Sequence, residues 1–393
     1  MRFTDVSGAT IGLSEAASLG LPASSGCFAP AGDGDLRPAV YAPEASFSET
    51  AAAAVAALFP EDIDPFAADR LSARAFPDCP PRFESDELVV VDLATGPSAC
   101  GLDFEAAFLA GLLLSRKEGP RLLVADGSGA EGAALSEASA GARGLSLVLL
   151  YPEGAPARGV KAQRLTREGG NVRLVGVGAD RAAIQALVRE AASKGIAGQG
   201  VTAAGPYNPA RFAARLILLV ATFSCVRRRI ASDLFIGVRG GDGLGFAACL
   251  WAWRLGLPLP GIVLSVSEKG VLGIDPSGKE LVDRFDAERP GAIRSLTLLQ
   301  NVDREAALRS RSELSARGGP NLDLASAAGL AAAERSLEAG LRGHARILVP
   351  RGADPRWEEP EDLSAEPPVG LSDARFDAEI EPNLAALERA LTA

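Results

Sequence analysis

The chain has 393 residues, 47% of them apolar and 23% charged, which is enough for two or three domains, each with its own core. Its formal net charge of −10 argues against nucleic acid or an anionic membrane surface as a partner. The N-terminus, MRFTDVSGAT, lacks the basic and apolar regions of a secretory signal, so we expect a cytoplasmic protein.

Cysteine and histidine usage excludes several kinds of site. The five cysteines are scattered and never spaced as C-x-x-C, which predicts reduced thiols rather than a disulfide framework or a zinc site. The single histidine, His344, argues against histidine-rich metal ligation and against a Ser-His-Asp triad. We therefore expect no bound metal.

The N-terminal part of the chain differs in composition from the rest. It is rich in alanine and proline, carries a helical pattern over Ser48–Phe59, and ends in the proline-rich run PDCPPR at 77–82, which is typical of a boundary. We predict an N-terminal segment over 1–85, a small α/β domain over 86–205, and a large α/β domain with a C-terminal tail over 206–393.

Four short apolar runs follow, and an amphipathic stretch comes after each of them. The runs are DELVVVDL (86–93), RLLVAD (121–126), LSLVLLY (145–151) and NVRLVGV (171–177), and the last is followed by a helix over Arg181–Lys194. Continuous apolar strands that alternate with helices are typical of a parallel sheet buried on both faces. We therefore predict one parallel sheet built from the four runs.

A second α/β set is predicted further along the chain. Its elements are a helix over Pro209–Arg229, a strand over 233–239, a helix over Phe246–Leu255 and a strand over 261–266. The most apolar stretch, 214–226, is far shorter than the roughly 20 residues that span a bilayer, so we expect a buried helix.

The C-terminal part is predicted to have little regular structure until its end. The tail over 350–372 is rich in proline and acidic residues and is expected to be irregular. A short amphipathic helix over Asp373–Thr392 is expected to close the chain.

Two glycine-rich turns could bind a phosphate. GSGAEG (127–132) follows a strand and opens a helix, and Glu153 follows it as a ribose-binding carboxylate would in a dinucleotide site. RGGDGLG (239–245) also joins a strand to a helix, with Arg239 as its one cation. Glycines at tight turns explain both sequences equally well, so both interpretations stay open.

Several segments resemble, in chain order, motifs of the threonine synthase family. GPSACGLDF (96–104) is similar to the motif HGPT…KDF, which carries the lysine that binds pyridoxal phosphate (PLP). GSGAEG resembles TSGDTG, GPYNPARF (205–212) resembles NSINWARI, and GDGLG (241–245) resembles the phosphate loop GNFGN. Segments 12–31 and 151–175 are also similar to family segments.

The resemblance implies an α/β protein of PLP fold type II, which is the tryptophan synthase β-like fold. That fold has two parallel-sheet α/β domains, here with an N-terminal threonine-synthase-type segment. PLP is the family's cofactor, and the family's reaction converts O-phosphohomoserine to threonine and phosphate. A monomer or homodimer is expected.

The position of the PLP-binding lysine departs from the family pattern. It holds Leu102, and a hydrocarbon side chain cannot form the covalent link to PLP that a primary amine forms. The preceding histidine position holds Thr95, and the chain contains no lysine before Lys117. We therefore expect no catalytic residue and no covalently bound PLP.

Other cofactor-facing positions also differ. Leu244 replaces a glycine that lets the backbone approach the phosphate. RGADPRW (351–357) resembles the late motif TAHPAKF, which puts Arg351 in the threonine position that faces the pyridine nitrogen and Ala353 in the histidine position.

The resemblance nevertheless assigns residues to any ligand that is retained. The cofactor-facing set is Ser128, Gly129, Gly132, Gly241, Asp242, Gly243 and Arg351. The substrate or anion set is Ser98, Asn208, Arg211 and Arg239. For Arg211 and Arg239 the alternative is ordinary ion pairing.

Three functions are therefore considered. The first is a threonine-synthase-like pseudoenzyme that retains an anionic-ligand cleft, for a small anionic metabolite, or acts through a partner. The second is an active PLP lyase with a relocated lysine, for which Lys269 is the candidate because it follows a strand's carboxyl end. The third is a dinucleotide-binding enzyme that uses GSGAEG and Glu153.

Overall fold

The computed structural model describes residues 1–22, 26–42, 45–116, 121–152, 170–230, 232–266, 276–357 and 376–392. The chain divides into two compact units that alternate along the sequence. Unit 1 contains Met1, Gly32–Gly101 and Arg215–Leu363, whereas unit 2 contains Arg2–Ala31, Leu102–Ala214 and Ser364–Ala393.

The described strands, in chain order, are β1 (Arg2–Thr4), β2 (Thr10–Ile11), β3 (Ala29–Ala31), β4 (Arg82–Glu84), β5 (Leu88–Asp92), β6 (Arg121–Asp126), β7 (Leu145–Pro152), β8 (Val172–Val177), β9 (Val201–Ala203), β10 (Asp233–Val238), β11 (Ile262–Val266), β12 (Thr297–Asn301), β13 (Ala345–Arg351) and β14 (Ala378–Ile380). The described α-helices are α1 (Leu13–Leu19), α2 (Arg37–Val40), α3 (Phe47–Leu58), α4 (Pro65–Ala75), α5 (Leu102–Ser115), α6 (Ala130–Ser139), α7 (Arg181–Lys194), α8 (Pro209–Arg227), α9 (Gly243–Arg254), α10 (Pro276–Glu288), α11 (Ala292–Leu296), α12 (Arg304–Ala316), α13 (Leu324–Ser336) and α14 (Leu384–Thr392).

A six-stranded sheet forms the centre of unit 1. Its spatial order is β12-β11-β10-β13-β5-β4, and all neighbours are parallel except β4, which runs antiparallel to β5. The inner strands are almost wholly apolar because helices cover both faces of such a sheet. Val90 and Val349, which are paired in register, are both fully buried.

Helix α13 packs closely on this sheet. Its small residues allow the approach: a Cβ added at Gly329 would lie 2.9 Å from the carbonyl oxygen of Val238. The core on this side of the sheet joins Val90, Val263 and Ile347 with apolar residues of α12 and α13. The alanine-rich sequence of α13 is therefore explained by packing against the strand backbone.

Unit 2 contains a five-stranded parallel sheet and a small antiparallel sheet. The parallel sheet has the order β14-β8-β7-β6-β9, and the antiparallel sheet has the order β2-β1-β3. Helix α7 buries Ile184, Leu187, Val188 and Ala191, which are spaced to lie along one helix face. These residues pack with Val148 and Val175 of the sheet into one core.

One predicted sheet is wrong in its membership. The run over 86–93 forms β5, which pairs with β13 in unit 1, whereas the other three predicted strands pair with one another in unit 2. Apolar periodicity indicates a strand that is buried on both faces, but it does not identify the neighbour in the sheet. Each strand's partner is decided by the tertiary fold.

The closing helix is shorter than the sequence pattern predicted. Helix α14 begins at Leu384 rather than at residue 373, and β14 precedes it. Pro382 disfavours the helical conformation of the residue before it. Asn383 then accepts a hydrogen bond from the backbone N–H of Ala386, which caps the helix. Of the predicted irregular tail, 350–351 completes β13, and 358–372 lies outside the described residues.

The predicted boundaries can be compared with the two units. Residue 85 lies between β4 and β5, which pair in one sheet of unit 1. Residue 205 lies shortly before Ala214, where unit 2 gives way to unit 1. Unit 1 is discontinuous because its sheet combines β4 and β5, from the first part of the chain, with β10 to β13, which follow Leu102–Ala214 of unit 2 in the sequence.

Helix α8 is long and apolar enough to cross a membrane, but 83% of its most apolar 18-residue stretch is buried inside the protein. It contains the predicted buried segment 214–226. Its apolar surface is accounted for by the protein interior.

Candidate functional site

The position expected to carry a PLP-binding lysine is the start of α5. Leu102 is the first residue of that helix and is partly exposed. The described lysines lie elsewhere, on exposed helix faces: Lys194 pairs with Glu190 at 2.8 Å, and Lys279 pairs with Asp283 at 2.5 Å. Lys117, Lys161 and the surrogate Lys269 lie outside the described residues.

The GSGAEG turn is held together by its own backbone. Gly129 has a φ of +73°, and a Cβ added at Gly132 would lie 2.2 Å from the carbonyl oxygen of Gly127. Both glycines are therefore required by the turn itself. Among the described residues, Ser128 Oγ is buried without a hydrogen-bond partner, whereas Ser128 N donates to Asp126 Oδ1 at 2.9 Å.

Two carboxylates lie at the amino end of α6. Asp126 accepts from Ser128 N and also pairs with Arg181, with 2.6 Å between Asp126 Oδ2 and Arg181 Nε. Glu131 belongs to the first turn of the helix. A helix N-terminus attracts anions, and here the chain supplies the negative charge itself.

Arg211 is buried between two carboxylates. Its side chain is 1% exposed; Nε donates to Glu105 Oε2 at 3.0 Å and Nη1 donates to Glu131 Oε1 at 3.0 Å. Burial raises the pKa of Glu131 and the Glu105 charge adds to this, although Arg211 opposes the shift. The guanidinium charge is therefore already compensated within unit 2, and the ion-pairing alternative describes Arg211.

Asn208 has a structural role at the start of α8. Its Nδ2 donates to the carbonyl oxygens of Ala17 and Ala203, each at 2.9 Å, and its Oδ1 accepts from Ala210 N at 3.0 Å. The side chain is 1% exposed. Three of the hydrogen-bonding positions of this amide are thus used within unit 2.

In unit 1, the RGGDGLG turn leads directly into α9. Asp242 is the residue that caps this helix, and its Oδ1 accepts from Gly245 N at 2.8 Å. Arg215 Nη1 donates to Asp242 Oδ2 at 2.7 Å. A Cβ added at Gly245 would lie 2.6 Å from Asp242 Oδ2, so the carboxylate fills the space above the helix end.

Electrostatics keep Asp242 ionised. Its burial would raise the pKa, but the guanidinium groups of Arg215 and Arg239 and the Gly245 N–H together outweigh burial and lower it. A buried carboxylate with two nearby guanidinium groups is the charge arrangement that a bound phosphate would otherwise provide. Asp242 therefore acts as an internal anion at this helix end.

Helix α10 covers the same helix end. A Cβ added at Gly278 would lie 2.2 Å from the Gly243 carbonyl carbon and 2.4 Å from the Leu244 backbone nitrogen. Gly241, at the start of the turn, has a φ of +70°. Leu244 is 5% exposed, so its side chain is packed within the protein.

Arg239 is also paired inside unit 1. Its Nη2 donates to Asp323 Oδ1 at 3.1 Å and its Nε donates to Ser326 Oγ at 3.2 Å. Burial would raise the pKa of Asp323, but Arg239 and the hydrogen bonds from Ser326 outweigh it and lower the pKa. A Cβ at Gly352 would lie 2.1 Å from Arg239 Cζ, so this glycine makes room for the guanidinium.

Arg351 and Ser98 lie in a further set of internal contacts. Arg351 Nη1 donates to Asp92 Oδ2 at 2.7 Å, and its Nη2 is 3.7 Å from Asp354 Oδ2. Ser98 Oγ donates to Cys100 Sγ at 3.4 Å, and its carbonyl oxygen accepts from Trp357 Nε1. The described residues thus pair each predicted anion-binding arginine with a carboxylate.

Comparisons with known proteins identify the relatives of this architecture. The threonine synthase of Haemophilus influenzae is 28% identical over 185 residues, which are 46% of this chain and 43% of the relative, so the match spans less than half of the relative's length. A crystal structure of threonine synthase from Escherichia coli matches with a TM-score of 0.80 and 19% identity over 100% of this chain and 99% of the other. No protein-family model matches.

The chain is similar in sequence to threonine synthases over less than half of its length, and it shares their fold. A PLP-bound threonine synthase from Brucella melitensis also shares the fold, with a TM-score of 0.78, 17% identity, and coverage of 99% of this chain and 98% of the other. The predicted PLP fold type II architecture is confirmed by these neighbours.

The described positions that resemble the family's PLP-binding motifs differ from those motifs in their chemistry. PLP needs an amine for its covalent link and free backbone N–H groups for its phosphate. Leu102 offers no amine, Gly245 N is bonded to Asp242, and Gly278 packs against the Leu244 nitrogen. No reaction step through PLP follows from this arrangement.

Sequence reasoning missed the carboxylate partners of this threonine synthase relative. Glu105, Asp323 and Asp92 were not singled out, although each pairs with a predicted arginine. Arg215 carried a signal, because it is the single arginine of the apolar stretch 214–226 and a buried charge requires a partner. Among the described residues, no group of three or more potential metal ligands is arranged to hold an ion.

Proposed function

We propose that this chain is a threonine-synthase-like pseudoenzyme that does not carry out PLP-dependent catalysis. The observation that carries the proposal is the position of Asp242, whose carboxylate is bonded to both Gly245 N and Arg215 at the amino end of α9. A second anion at that helix end would meet a like charge in a buried environment, which is strongly unfavourable.

The internal pairing of the arginines supports a role through a partner. Arg211, Arg239 and Arg351 each have a carboxylate of the same unit within ion-pairing distance. A small anionic metabolite would have to displace these carboxylates, whereas a protein partner would not. Of the two forms of the pseudoenzyme hypothesis, partner binding is therefore better supported, and we place the protein in the cytoplasm.

The active-lyase alternative depends on Lys269, which lies outside the described residues. It requires an amine supplied by that segment and a phosphate position other than the end of α9. The dinucleotide alternative depends on Glu153, which also lies outside the described residues. Asp126, bonded to Ser128 N in the GSGAEG turn, opposes a pyrophosphate there.

PLP binding is the experiment that tests the proposal. The purified full chain is titrated with PLP, followed by visible absorption, borohydride reduction and peptide mass spectrometry, with Escherichia coli threonine synthase as the positive control. We expect no new absorption band, no reduced adduct and no rise in melting temperature. A reduced adduct on Lys269, or phosphate release from O-phosphohomoserine, would overturn the pseudoenzyme proposal.

A melting screen with nicotinamide dinucleotides tests the remaining alternative. A ligand present at 100 times its Kd stabilises a protein by about 2.7 kcal/mol, which is a readily measured shift. We expect no shift with any dinucleotide. A saturable shift that Gly129→Val abolishes would support the dinucleotide enzyme instead.

A further inference from the structure

Unit 2 contains a cavity at the amino ends of its parallel strands. It has a volume of about 240 Å³ and is lined by residues from the starts of β6, β7 and β8, from the turn before β9 and from the end of α14. The GSGAEG turn follows the carboxyl end of β6, so it lies at the opposite end of the same sheet. The cavity is therefore separate from the candidate site that the family resemblance indicates.

The floor of the cavity is one face of this sheet. Leu122 pairs in register with Ser146, and Val148 pairs with Arg173, so these four side chains lie on the same sheet face. Further along the strands, Val148 and Val175 pack with residues of α7 into the core. Ser146 is exposed, so the helices that cover this face leave the amino ends of the strands open.

The turn after α7 and the last turn of α14 form the walls of the cavity. Ile196 and Gln199 exchange two backbone hydrogen bonds of 3.0 and 2.9 Å. Between them, Ala197 has a φ of +48°, a conformation that L-residues rarely adopt, and its N–H donates to Glu388 Oε1 at 3.0 Å. Leu391 completes the apolar wall. The shape of the cavity is thus held by contacts that exist without a ligand.

Asn171 fixes the remaining side. Its Oδ1 accepts from Gly141 N at 3.0 Å, and its Nδ2 donates to the carbonyl oxygens of Ser139 and Leu145 at 2.7 and 3.0 Å. Three hydrogen-bonding positions of the amide are therefore used within unit 2. Asn171 shapes the cavity, and recognition of a ligand falls to other side chains.

Two arginines make the cavity positively charged. Arg121 and Arg173 both line it, and none of the described lining residues is acidic. Arg173 is exposed, and its Nη1 donates to the carbonyl oxygens of Leu391 and Ala390 at 3.1 and 3.5 Å. These bonds use one of the three guanidinium nitrogens. Unlike the arginines of the candidate site, Arg173 has no carboxylate within ion-pairing distance among the described residues.

We propose that this cavity binds a small aliphatic carboxylate, a molecule with one carboxylate and a short hydrocarbon tail. The strands β6 and β8 both flank β7, so Arg121 and Arg173 start about 10 Å apart and can reach one anion between them. The tail would contact the apolar lining residues, which include Leu122, Val148, Ile196 and Leu391. This site depends neither on PLP nor on the proposed pseudoenzyme function.

The size and lining of the cavity select this class of ligand. Its volume is below the roughly 300–1,000 Å³ of sites for drug-sized molecules, so the ligand is a small metabolite. A guanidinium group matches the two oxygens of a carboxylate. A phosphate would place further charged oxygens against the apolar floor, where they would lose their hydration.

Calorimetric titration with isocaproate tests the ligand class. The purified full chain is used without PLP, and the matched probes are isocaproamide, which has the same tail without the charge, and inorganic phosphate, which has charge without a tail. We expect saturable binding of isocaproate, at least tenfold tighter than that of either control. Equal binding of a control would refute the assigned class, and no saturable binding at millimolar concentrations would refute the site.

Arginine variants show whether the probe lies in this cavity. Arg173→Gln removes the guanidinium and should weaken isocaproate binding at least tenfold, because a charge-assisted hydrogen bond is lost. Arg309→Gln is the matched control, since Arg309 lies on α12 of unit 1, is 63% exposed and carries the same charge. Equal affinities of the two variants would place the bound probe elsewhere on the protein.

Ser146→Leu tests the same placement without a change of charge. The larger side chain would fill the floor of the cavity and should abolish isocaproate binding, whereas the melting temperature should change little because this strand position is exposed. Undiminished binding by a folded Ser146→Leu chain would contradict the proposal, even if Arg173→Gln fails to fold. Since no titration contains PLP, these results are independent of any PLP adduct.

Discussion

Arg215 and Asp242 form an ion pair at the amino end of α9, with 2.7 Å between Arg215 Nη1 and Asp242 Oδ2. The two side chains are 17% and 15% exposed, so the pair is largely removed from water. Asp242 also caps the helix through Gly245 N. The chain therefore carries its own anion where the resemblance places a cofactor phosphate.

Asp242→Asn should destabilise unit 1. The substitution removes the negative charge that Asp242 provides to the largely buried Arg215, and we expect the free energy of unfolding to fall by about 2–4 kcal/mol. Asp283→Asn is the matched control, since its pair with Lys279 is 60% exposed on both sides and should cost less than about 0.5 kcal/mol. Urea unfolding measures both, and equal losses would contradict a buried pair.

The Arg215–Asp242 pair should also make the free energy of unfolding depend on pH in the acidic range. The folded-state pKa of Asp242 lies below its ordinary value of 3.8, so the stabilisation is complete above about pH 4 and is lost as the pH falls through the lowered pKa. Asp323, also lowered, contributes in the same direction. Urea unfolding between about pH 5 and pH 2 should show a smaller loss in Asp242→Asn than in the unchanged chain.

The buried group of Arg211, Glu105 and Glu131 should respond unequally to substitution. Arg211→Met removes the guanidinium that pairs with both Glu105 and Glu131 and should lower the free energy of unfolding by about 3–5 kcal/mol. Glu131→Gln should cost less than Arg211→Met, because burial raises the pKa of Glu131 and so opposes its charged form, and because the amide keeps an acceptor oxygen for Arg211 Nη1. Equal losses in the two variants would contradict this assignment.

Glu131 also predicts a pH dependence of the opposite sign. Because its pKa is raised from 4.5, the folded state is favoured while the group is protonated, and this contribution is lost as the pH rises through the raised pKa. In the Glu131→Gln variant, the free energy of unfolding should not show this decrease with rising pH. Urea unfolding from about pH 4.5 upwards measures the difference.

Leu102→Lys should not create a PLP enzyme. The substitution supplies an amine at the start of α5, but Asp242 still occupies the end of α9, so we expect no stable reduced PLP adduct at position 102. Leu102→Met is the matched control for packing. Borohydride reduction with peptide mapping provides the measurement, and a stoichiometric adduct would show that the phosphate position is open.

Gly278→Ala should disturb the contact between α10 and α9. The added Cβ would lie 2.2 Å from the Gly243 carbonyl carbon, and separating the helices should cost about 1–3 kcal/mol despite the better helix propensity of alanine. Gly200→Ala, where nothing lies within 4 Å, should stay within about 0.5 kcal/mol. Thermal unfolding of the two variants measures the contrast.

The individual elements could largely be predicted from the sequence, because they depend on local patterns. The predicted runs form β5, β6, β7 and β8, and the predicted helix over Arg181–Lys194 has those bounds in α7. The closing helix was predicted too long because β14 and Pro382 lie inside its apolar pattern. Leu102 was identified from the sequence alone, since the absence of an amine is a property of the residue.

The sequence by itself determined which helices and strands form, the missing amine and the family resemblance, because these depend on residue type and short-range spacing. Only the tertiary structure decided that β5 pairs with β13 and that Asp242 pairs with Arg215. Sheet neighbours and buried ion pairs join residues that are far apart in the chain, and hydrophobic patterns carry no information about such partners. The sequence shows which residues are arginines, but only the packing of the chain decides which carboxylate pairs with each of them.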